Sequence, residues 1–381
     1  MIFKNGSVLL DDYTFLKTDV KVSNKKIAEI GDNLGGDEIV DLKGNYLLPG
    51  FIEEHFHGAN GAAVLDCKKE SFLKLSDFEA TQGITTIVPT LSTYPDEVVL
   101  GCIESLKEAV PEAAGARILG LHLEGPFLSY DYRGAHDPAY LKTPSVNRAE
   151  HFCNAGGELI RIMTVAPELP DAANVIRFLK SRGVTVEIGH SAANYGEALR
   201  GIDAGATVST HTFNAMAPLQ HRNPGIVGAA LTDDRVHCEV IADFGHVAPA
   251  VVKLIFKAKG DDRVNLVSDS MMCAGLPDGV YEMEEHRCTV KNGLSYFENG
   301  TINGSASTLL FGFQNLSKIG IPLESAVKSV SKNPAVSLKI DHECGSILPG
   351  KRADLVVMDK GLCPLATFVG GRSAFQKSTA F

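Results

Sequence analysis

The stretch Pro49-Gly50-Phe51-Ile52-Glu53-Glu54-His55-Phe56-His57-Gly58 joins an apolar run to two histidines that are separated by one residue. In an extended strand, residues i and i+2 point to the same side, so His55 and His57 can both face one ion. A lone His-x-His pair is common by chance. Its meaning therefore depends on whether other strands of the chain also end in metal-binding side chains.

Four later apolar runs of the sequence do end in such a side chain. They are the runs 118–123, 184–189, 207–210 and 264–268, which are followed by Glu124, His190, His211 and Asp269. The carboxyl ends of parallel barrel strands meet at one face, where reactive groups gather. Imidazoles and a carboxylate around an open position are typical of hydrolytic zinc sites. The sequence therefore predicts one shared divalent-metal centre for hydrolysis.

Each of these side chains also has a plainer alternative role. Glu124 could form a structural ion pair with Arg133 or Lys142, and the two later histidines could be hydrogen-bonded core residues. Asp269 could cap a helix or anchor a hairpin. However, the run before Glu124 is too apolar for an unpaired carboxylate, because burying one costs on the order of several kcal/mol. A metal ion explains all four positions together, so it is the favoured interpretation.

Strand and helix patterns alternate through the middle of the chain. Runs rich in Val, Ile, Thr and Leu predict buried parallel strands at 46–54, 84–90, 117–124, 160–166, 184–190, 207–211, 237–243 and 264–269. Helical patterns lie at 95–110, 171–182, 248–259, 305–319 and 322–337. Eight strand units, with no Gly-x-Gly-x-x-Gly motif after the first, predict an α/β fold of the (β/α)8 TIM-barrel type rather than a dinucleotide-binding sheet.

Both ends of the chain carry a different pattern. Short alternating segments at 18–22, 26–30 and 353–358 are typical of antiparallel strands. We therefore expect a small β-sandwich domain built from residues 1–48 and 346–381, with the barrel domain at 49–345 inserted between them. Asp-Gly and Asn-Gly pairs between residues 278 and 303 predict β-hairpins after the eighth strand.

Composition restricts the class of partner. The formal charge of −10 over 381 residues disfavours nucleic acid and anionic membranes as main partners, although a local arginine and backbone N–H groups can still bind one phosphate. The chain begins without a basic segment and long apolar stretch, and no window approaches the ~20 apolar residues of a membrane span. The eight cysteines are scattered without a Cys-x-x-Cys pair. We expect a cytoplasmic protein whose cysteines are mostly reduced and buried.

Six motifs occur in order along almost the whole chain. They are Pro49-Gly-Phe-Ile-x-x-His-x-His-Gly58, His122-Leu-Glu-Gly-Pro-Phe127, Gly134-Ala-His136, Gly189-His-Ser191, His211-x-Phe-Asn-Ala-Met216 and Ser268-Asp-Ser270. Together they resemble the N-acetylglucosamine-6-phosphate deacetylases of the amidohydrolase superfamily. The second and fifth motifs are the more diagnostic, because His-x-His marks only the superfamily. The resemblance implies hydrolysis of N-acetyl-D-glucosamine 6-phosphate to D-glucosamine 6-phosphate and acetate, in amino-sugar catabolism and recycling.

The resemblance also implies a role for particular residues. Glu124, His190 and His211 would hold the main metal, and His55 and His57 a second position that some relatives have lost. Asp269 would be the proton donor and acceptor. The substrate would be contacted by Ala135, His136, Asn214, Ala215, Arg222, His246, Ile302, Asn303 and Gly304, with His136 close to the acetyl group. Arg222 would reach the site of the neighbouring subunit, which implies a functional homodimer. The cofactor would be one or two divalent ions per subunit, with zinc preferred over iron, manganese or cobalt.

Some positions depart from the family pattern, and other functions stay open. Glu53 stands where the superfamily usually has Asp, and Ser268 and Ser270 stand where Thr and Ala are frequent. The stretch 59–63 lacks the glycine-rich sequence expected there. The alternatives are the galactosamine epimer, a cyclic amide or an acylated amino acid as substrate, and a non-catalytic scaffold. A dihydroorotase-like member is disfavoured because the corresponding strand end carries Glu124 and no lysine.

Overall fold

The fold was analysed in a computed structural model of the chain. It describes residues 1–36, 38–283, 286–291, 293–297 and 302–378, and the side chains at 283, 286, 297, 302 and 303 lie outside that description. The strands of the amino-terminal segment are β1 (Ile2–Lys4), β2 (Ser7–Leu9), β3 (Phe15–Leu16), β4 (Asp19–Ser23), β5 (Lys26–Gly31), β6 (Ile39–Asp41) and β7 (Tyr46–Pro49).

The central segment alternates strands with helices. Its strands are β8 (Phe51–Glu53), β9 (Gly58–Ala59), β10 (Ala62–Ala63), β11 (Ile84–Ile87), β12 (Thr90–Leu91), β13 (Arg117–Ile118), β14 (Leu121–Phe127), β15 (Ile160–Val165), β16 (Thr185–Ile188), β17 (Val208–Ser209), β18 (His237–Ile241) and β19 (Val264–Val267). The strands after them are β20 (Gly279–Met283), β21 (His286–Lys291), β22 (Leu294–Phe297), β23 (Ile302–Ser305), β24 (Leu355–Met358), β25 (Pro364–Val369) and β26 (Arg372–Gln376).

The helices mostly lie where the sequence predicts them. They are α1 (Lys69–Thr81), α2 (Asp96–Ala109), α3 (Val146–Gly156), α4 (Ala172–Ser181), α5 (Tyr195–Ala204), α6 (Gly225–Thr232), α7 (Pro249–Lys259), α8 (Leu309–Lys318), α9 (Leu323–Val330) and α10 (Lys332–Ser337). Short 3-10 helices occupy Val64–Asp66, Val110–Glu112, Pro138–Tyr140 and Gly157–Leu159. No helix in the described ranges combines the length and apolar character needed to cross a bilayer.

A curved parallel sheet carries the predicted site. Strands β13, β11 and β8 form one part in that order, and β12, β14, β15, β16, β17, β18 and β19 form the other. Every pairing within these two parts is parallel. The last strand meets the first at the level of the site, where the Asp269 N–H donates to the His55 carbonyl at 2.9 Å. All eight predicted runs contribute strand residues to this sheet, so their carboxyl ends share one face.

The predicted strand 46–54 is in fact two strands in two different sheets. The chain turns at Gly50, where a Cβ atom would lie 2.3 Å from the Thr85 side chain. Residues before the turn pair with β2 and β24, and residues after it pair with β11. A single apolar run therefore connects the terminal sheets to the parallel sheet.

Strands from both ends of the chain form two further sheets, in the orders β5-β4-β1-β6 and β26-β25-β24-β7-β2-β3. A hydrophobic cluster of their own fills the space beside them, and it is separate from the large cluster around the parallel strands. Within it the rings of Phe3 and Phe368 meet edge to face at 4.9 Å. This cluster joins residues more than 300 positions apart in sequence.

The predicted hairpins follow the last parallel strand. Strands β20, β21, β22 and β23 pair in order and antiparallel. The turn residues Asn292, Asn299 and Gly300 lie outside the described residues. A parallel bridge between Ser270 and Ser305 ties this sheet to the residue next to Asp269. The hairpin sheet is thus attached directly to the rim that carries the predicted site.

Candidate metal centre

Glu124 lies at the centre of the predicted site, and one of its oxygens faces three histidines. Its Oε1 lies 3.0 Å from the Nε2 of His190, 3.0 Å from the Nε2 of His211 and 3.5 Å from the Nε2 of His55. The Nε2 atoms of His190 and His211 are themselves 2.9 Å apart. All four side chains are almost fully buried. The structure therefore brings together residues that are far apart in sequence, as predicted.

The second oxygen of Glu124 faces two further histidines. Its Oε2 lies 3.2 Å from the Nε2 of His57 and 3.3 Å from the Nε2 of His136. Asp269 completes the group, with its Oδ1 3.2 Å from the Nε2 of His57 and 3.7 Å from the Nε2 of His55. Overlapping triads of these side chains place ligand atoms within 4.8 Å of one another.

The donor atoms fit a divalent cation, because several ring nitrogens face one another and the carboxylate with too few protons and hydrogen-bond partners to satisfy them all. The Nε2 of His55 is buried and has no hydrogen-bond partner among the described residues. The Nδ1 of His190 faces the Tyr132 carbonyl at 3.0 Å, so Nδ1 carries a proton, and Nε2, which faces Glu124, is the nitrogen of that ring that can bind a metal. Unpaired acceptors that face one another in a buried place are costly unless a cation lies between them.

His136 differs from these ligands in its tautomer. Its Nδ1 accepts a hydrogen bond from the Thr93 N–H at 3.2 Å, so the proton of the neutral ring is on Nε2. That ring therefore presents a donor to the site, whereas His190 presents a lone pair. His136 is therefore placed to donate a hydrogen bond, although its Nε2 also lies within 4.8 Å of possible ligand atoms of Glu124 and His190.

The charges of the site favour a cation. Burial alone would raise the pKa of Glu124, but the neighbouring His136 and His55 outweigh it and hold that pKa well below its usual value. Burial likewise opposes ionisation of Asp269, yet its hydrogen bond with His57 and the charge of His55 lower its pKa. For His57, burial is outweighed by Asp269 and Glu124, which raise its pKa to about 9. The two ionised carboxylates thus attract positive charge, which either protonated histidines or a divalent cation bound by neutral histidines can supply.

The backbone turns sharply at three of the proposed residues. His190, His211 and Asp269 have φ values of 45°, 27° and 48°. A left-handed conformation is uncommon for residues other than glycine and is found at functional sites, where the surroundings hold it in place. Here it ends each strand at the residue that the site uses.

A profile described as the amidohydrolase family matches residues 46–379. The chain belongs to the amidohydrolase family. An N-acetylglucosamine-6-phosphate deacetylase of Vibrio furnissii is 34% identical over 88% of this chain and 84% of the relative. An N-acetylgalactosamine-6-phosphate deacetylase of Escherichia coli O157:H7 is 32% identical over 88% of this chain and 89% of the relative. A solved mutant N-acetyl-D-glucosamine-6-phosphate deacetylase from Mycobacterium smegmatis, in complex with N-acetyl-D-glucosamine-6-phosphate, has a TM-score of 0.92 at 31% identity, covering 99% of each chain.

The positions predicted to contact substrate surround the cluster to different extents. Asn214 and Ala215 lie in the turn after His211, where the Asn214 side chain donates to the His211 carbonyl at 3.1 Å. His246 is held by Asp243 at 2.7 Å. Burial disfavours its charge, but Asp243 and the nearby Asp269 outweigh it and raise the pKa of His246.

The remaining predicted contacts differ in how near to the cluster they lie. Gly304 has φ 57°, and a Cβ there would meet the Asp269 carbonyl at 2.8 Å. Ala135 is exposed in the loop before His136. Ile302 and Asn303 lie in β23, and their side chains fall outside the described part. Arg222 is exposed on the turn between Gln220 and Asn223 and makes no hydrogen bond or ion pair to any described residue, those of the cluster included.

The plainer alternative for Glu124, a structural ion pair, is wrong. Arg133 donates to the Tyr130 carbonyl and Lys142 to the Ala139 carbonyl, so neither pairs with Glu124. Asp269 directs its carboxylate to two histidines and not to a helix N–H. Its backbone carbonyl accepts from the Ser305 N–H at 2.8 Å, so the residue also anchors the hairpin sheet.

Several buried polar residues of the site were missed by the sequence reasoning. Glu239 accepts from the Nδ1 of His55 at 2.9 Å, and Ser92 lies 3.1 Å from the Nδ1 of His57. His122 lies between Thr90 and Thr164, and its ring is 4.8 Å from that of His55. A glutamate within the apolar run 237–241 was the available signal for Glu239. The sequence around Ser92 contains no such signal.

Glu53 supports the histidine pair through the backbone. Its carboxylate accepts from the His55 N–H at 3.2 Å and from the Ser268 N–H at 3.2 Å, so it ties the first strand to the last. Burial raises the pKa of Glu53 well above its usual value. Glu53, which is longer than the Asp usual in the superfamily, is therefore accommodated in a buried position where it stabilises the contact between the two strands.

Proposed function

We propose that the protein hydrolyses the N-acetyl amide of N-acetyl-D-glucosamine 6-phosphate to D-glucosamine 6-phosphate and acetate, in amino-sugar catabolism and recycling. One observation carries the proposal: six polar residues, His55, His57, Glu124, His190, His211 and Asp269, form one cluster in a chain that matches deacetylases over most of its length. The non-catalytic alternative is disfavoured because each of the six keeps its place in the cluster.

Glu124, His190 and His211 would hold the main divalent ion, with His55 and His57 beside a second position. Such an ion polarises a carbonyl and activates water for hydrolysis at neutral pH. Imidazole and carboxylate ligands suit zinc best, and they also accept iron, manganese or cobalt. One or two ions per subunit are compatible with the overlapping triads of ligands.

The chain's own residues would move the protons. The lowered pKa of Asp269 keeps it ionised at neutral pH, so it can accept a proton from the attacking water. The same carboxyl group would then return a proton to the leaving amine. His136, with its proton on Nε2, would donate a hydrogen bond to the acetyl oxygen as negative charge develops there.

The sugar phosphate would lie against the turn after His211 and the segment that carries His246, with Ala135 and the residues 302–304 completing the pocket. Arg222 would bind the phosphate of the neighbouring subunit's substrate in a homodimer. Its exposure on a turn supports this role, because a free guanidinium can reach across an interface and bind phosphate in a bidentate manner.

The proposal also covers the domain organisation and the cellular location of the protein. We expect a closed (β/α)8 barrel at 49–345 and a terminal β-sandwich of 1–48 and 346–381, which the separate hydrophobic cluster of the terminal strands supports. A cytoplasmic location fits the net charge and the cysteines, six of which are buried.

The test is metal content per subunit measured together with acetate release. We expect at least one divalent ion and rapid release from the phosphorylated sugar, with the unphosphorylated sugar a much poorer substrate. Purified protein that carries no ion and gains no activity from added zinc, iron, manganese or cobalt would contradict the proposal.

The galactosamine epimer is a second candidate substrate, because one relative of similar identity is named for it. Acetate release from the two hexosamine phosphates at equal concentrations separates the candidates. We expect the glucosamine epimer to have the higher kcat/KM, and the reverse order would assign the other activity.

A further inference from the structure

Glu239 forms hydrogen bonds with two of the proposed metal ligands, His55 and His211. It lies in β18 with no exposed side-chain surface. Its Oε2 accepts from the Nδ1 of His55 at 2.9 Å and from the backbone N–H of His211 at 2.8 Å. Its backbone carbonyl also accepts from the Thr212 N–H at 2.9 Å. Glu239 therefore holds His55, which follows the first strand of the parallel sheet, and the turn at His211, which follows the sixth strand.

The contact with His55 determines which ring nitrogen faces the site. The same Oε2 accepts from the His211 N–H, so it serves as an acceptor for the Nδ1–H of His55 as well, and the lone pair of a neutral His55 ring lies on Nε2. That Nε2 is buried, has no hydrogen-bond partner in the described part of the chain, and points toward Glu124 and Asp269. Histidine ligands of metals are commonly oriented and made more basic in this way by a carboxylate behind them.

The contact with His211 supports a strained backbone. His211 has φ 27°, outside the regions that residues other than glycine usually adopt. Such a conformation costs on the order of 1–3 kcal/mol and persists only where the surroundings hold it. The charge-assisted hydrogen bond from the His211 N–H to Glu239 supplies that support.

We propose that Glu239 is a positioning residue that sets the metal affinity of the site by fixing the His55 ring and the His211 turn. The inference rests on the proposed metal-dependent function. Its carboxylate acts only through these two residues and needs no contact with substrate. Both its hydrogen bonds and its charge contribute.

The test is zinc affinity of metal-free protein, measured against a competing chromophoric chelator in the absence of substrate. Glu239→Gln keeps the shape and an acceptor oxygen but removes the charge, and we expect about tenfold weaker binding. Glu239→Ala removes the hydrogen bonds as well, and we expect on the order of 100-fold weaker binding. The melting temperature of each metal-free variant is measured alongside, because a merely structural role would lower it without changing zinc affinity.

Glu187→Gln is the matched control. Glu187 is equally buried on the neighbouring β16, and one of its oxygens lies within 4.8 Å of a His55 ring nitrogen, but its Oε2 accepts from the Thr210 hydroxyl and makes no hydrogen bond with a proposed ligand in the described part of the chain. Burial and the adjacent Glu239 raise the pKa of Glu187 well above its usual value, so glutamine closely replaces its protonated form. We expect zinc affinity within about twofold of the unmodified protein.

The outcomes separate this inference from the proposed function. Unmodified protein that binds none of zinc, iron, manganese and cobalt would remove the metal-dependent function itself. Unmodified protein that binds zinc, together with a Glu239→Gln protein within about twofold of it, would overturn only the role of Glu239. An equal loss in Glu187→Gln and Glu239→Gln would also overturn it, since any buried carboxyl group would then have the same effect.

Discussion

His136 and His190 both point a ring nitrogen at Glu124, yet their other nitrogens have opposite partners. A backbone N–H faces His136 and a backbone carbonyl faces His190. The sequence predicts both residues at the site from their motifs. It cannot give their tautomers, because the partners Thr93 and Tyr132 reach the rings only through the folded loops.

This difference predicts that the two histidines fail in different ways when removed. His136→Ala should lower kcat by roughly 10²–10³, the usual effect of losing one hydrogen bond to a developing oxyanion, while metal content is unchanged. His190→Ala should lose the metal and the activity together. Acetate release and elemental analysis of both variants check this, and loss of metal from His136→Ala would show that His136 is a ligand.

Asp269→Asn tests the proton transfer directly. The amide cannot accept a proton, so we expect kcat to fall by roughly 10²–10⁴, the range for a general acid–base group. Metal should be retained, because Glu124, His190 and His211 stay in place. Single-turnover acetate release and metal content are the measurements. Near-normal turnover in Asp269→Asn would remove Asp269 from its role.

The local sequence predicts the strands and helices well, but it does not show where one predicted element is divided into two. The predicted helix 322–337 is divided at Ser331 into α9 and α10, and Pro334 lies in the first turn of the second helix. Proline is tolerated there because its missing N–H would have no partner in the helix. The sixth strand keeps only Val208–Ser209 because the chain turns at His211. That turn depends on contacts with other strands, which the local pattern does not contain.

Helix α1 carries a buried carboxyl group that makes stability depend on pH. Burial raises the pKa of Glu79 to about 8, from about 4.5 in the unfolded chain. The folded state therefore binds more protons between these values, and stability falls as pH rises from about 4.5 to 8, by at most ~1.4 kcal/mol per unit. Glu79→Gln removes this dependence, so the variant should match the unmodified protein near pH 5 and exceed it near pH 9.

Urea unfolding at several pH values measures the effect as a difference in midpoint between variant and unmodified protein. Glu70→Gln on the same helix is the control, because that side chain is exposed and its replacement should leave the midpoint nearly unchanged at every pH. A Glu79→Gln midpoint that follows the unmodified protein across the whole range would contradict the assignment.

In the molecule as a whole, the order of the strands brings residues more than 200 positions apart in sequence to one rim of the parallel sheet. This arrangement was predictable because the sequence contains eight apolar runs typical of parallel strands. The polar layer beneath the rim was only partly predictable: the apolar run around Glu239 gave a signal, but His122 and Thr164 are recognisable only once their strands are neighbours. Assembly is not predictable from the fold of one subunit, since Arg222 makes no hydrogen bond or ion pair with the described residues of its own chain.

A mixed dimer tests whether Arg222 serves the neighbouring site. Arg222→Ala and Asp269→Asn chains carry different tags, are co-expressed, and the heterodimer is isolated by purification on both tags. If Arg222 crosses the interface, the site that contains the intact Asp269 also receives the intact Arg222, and the second site loses both. The heterodimer should then show about half the activity of the unmodified dimer, because a symmetric dimer has two equivalent sites. Each homodimer should be nearly inactive. If Arg222 instead acts within its own subunit, every site of the heterodimer lacks one residue, and its activity stays at the level of the homodimers.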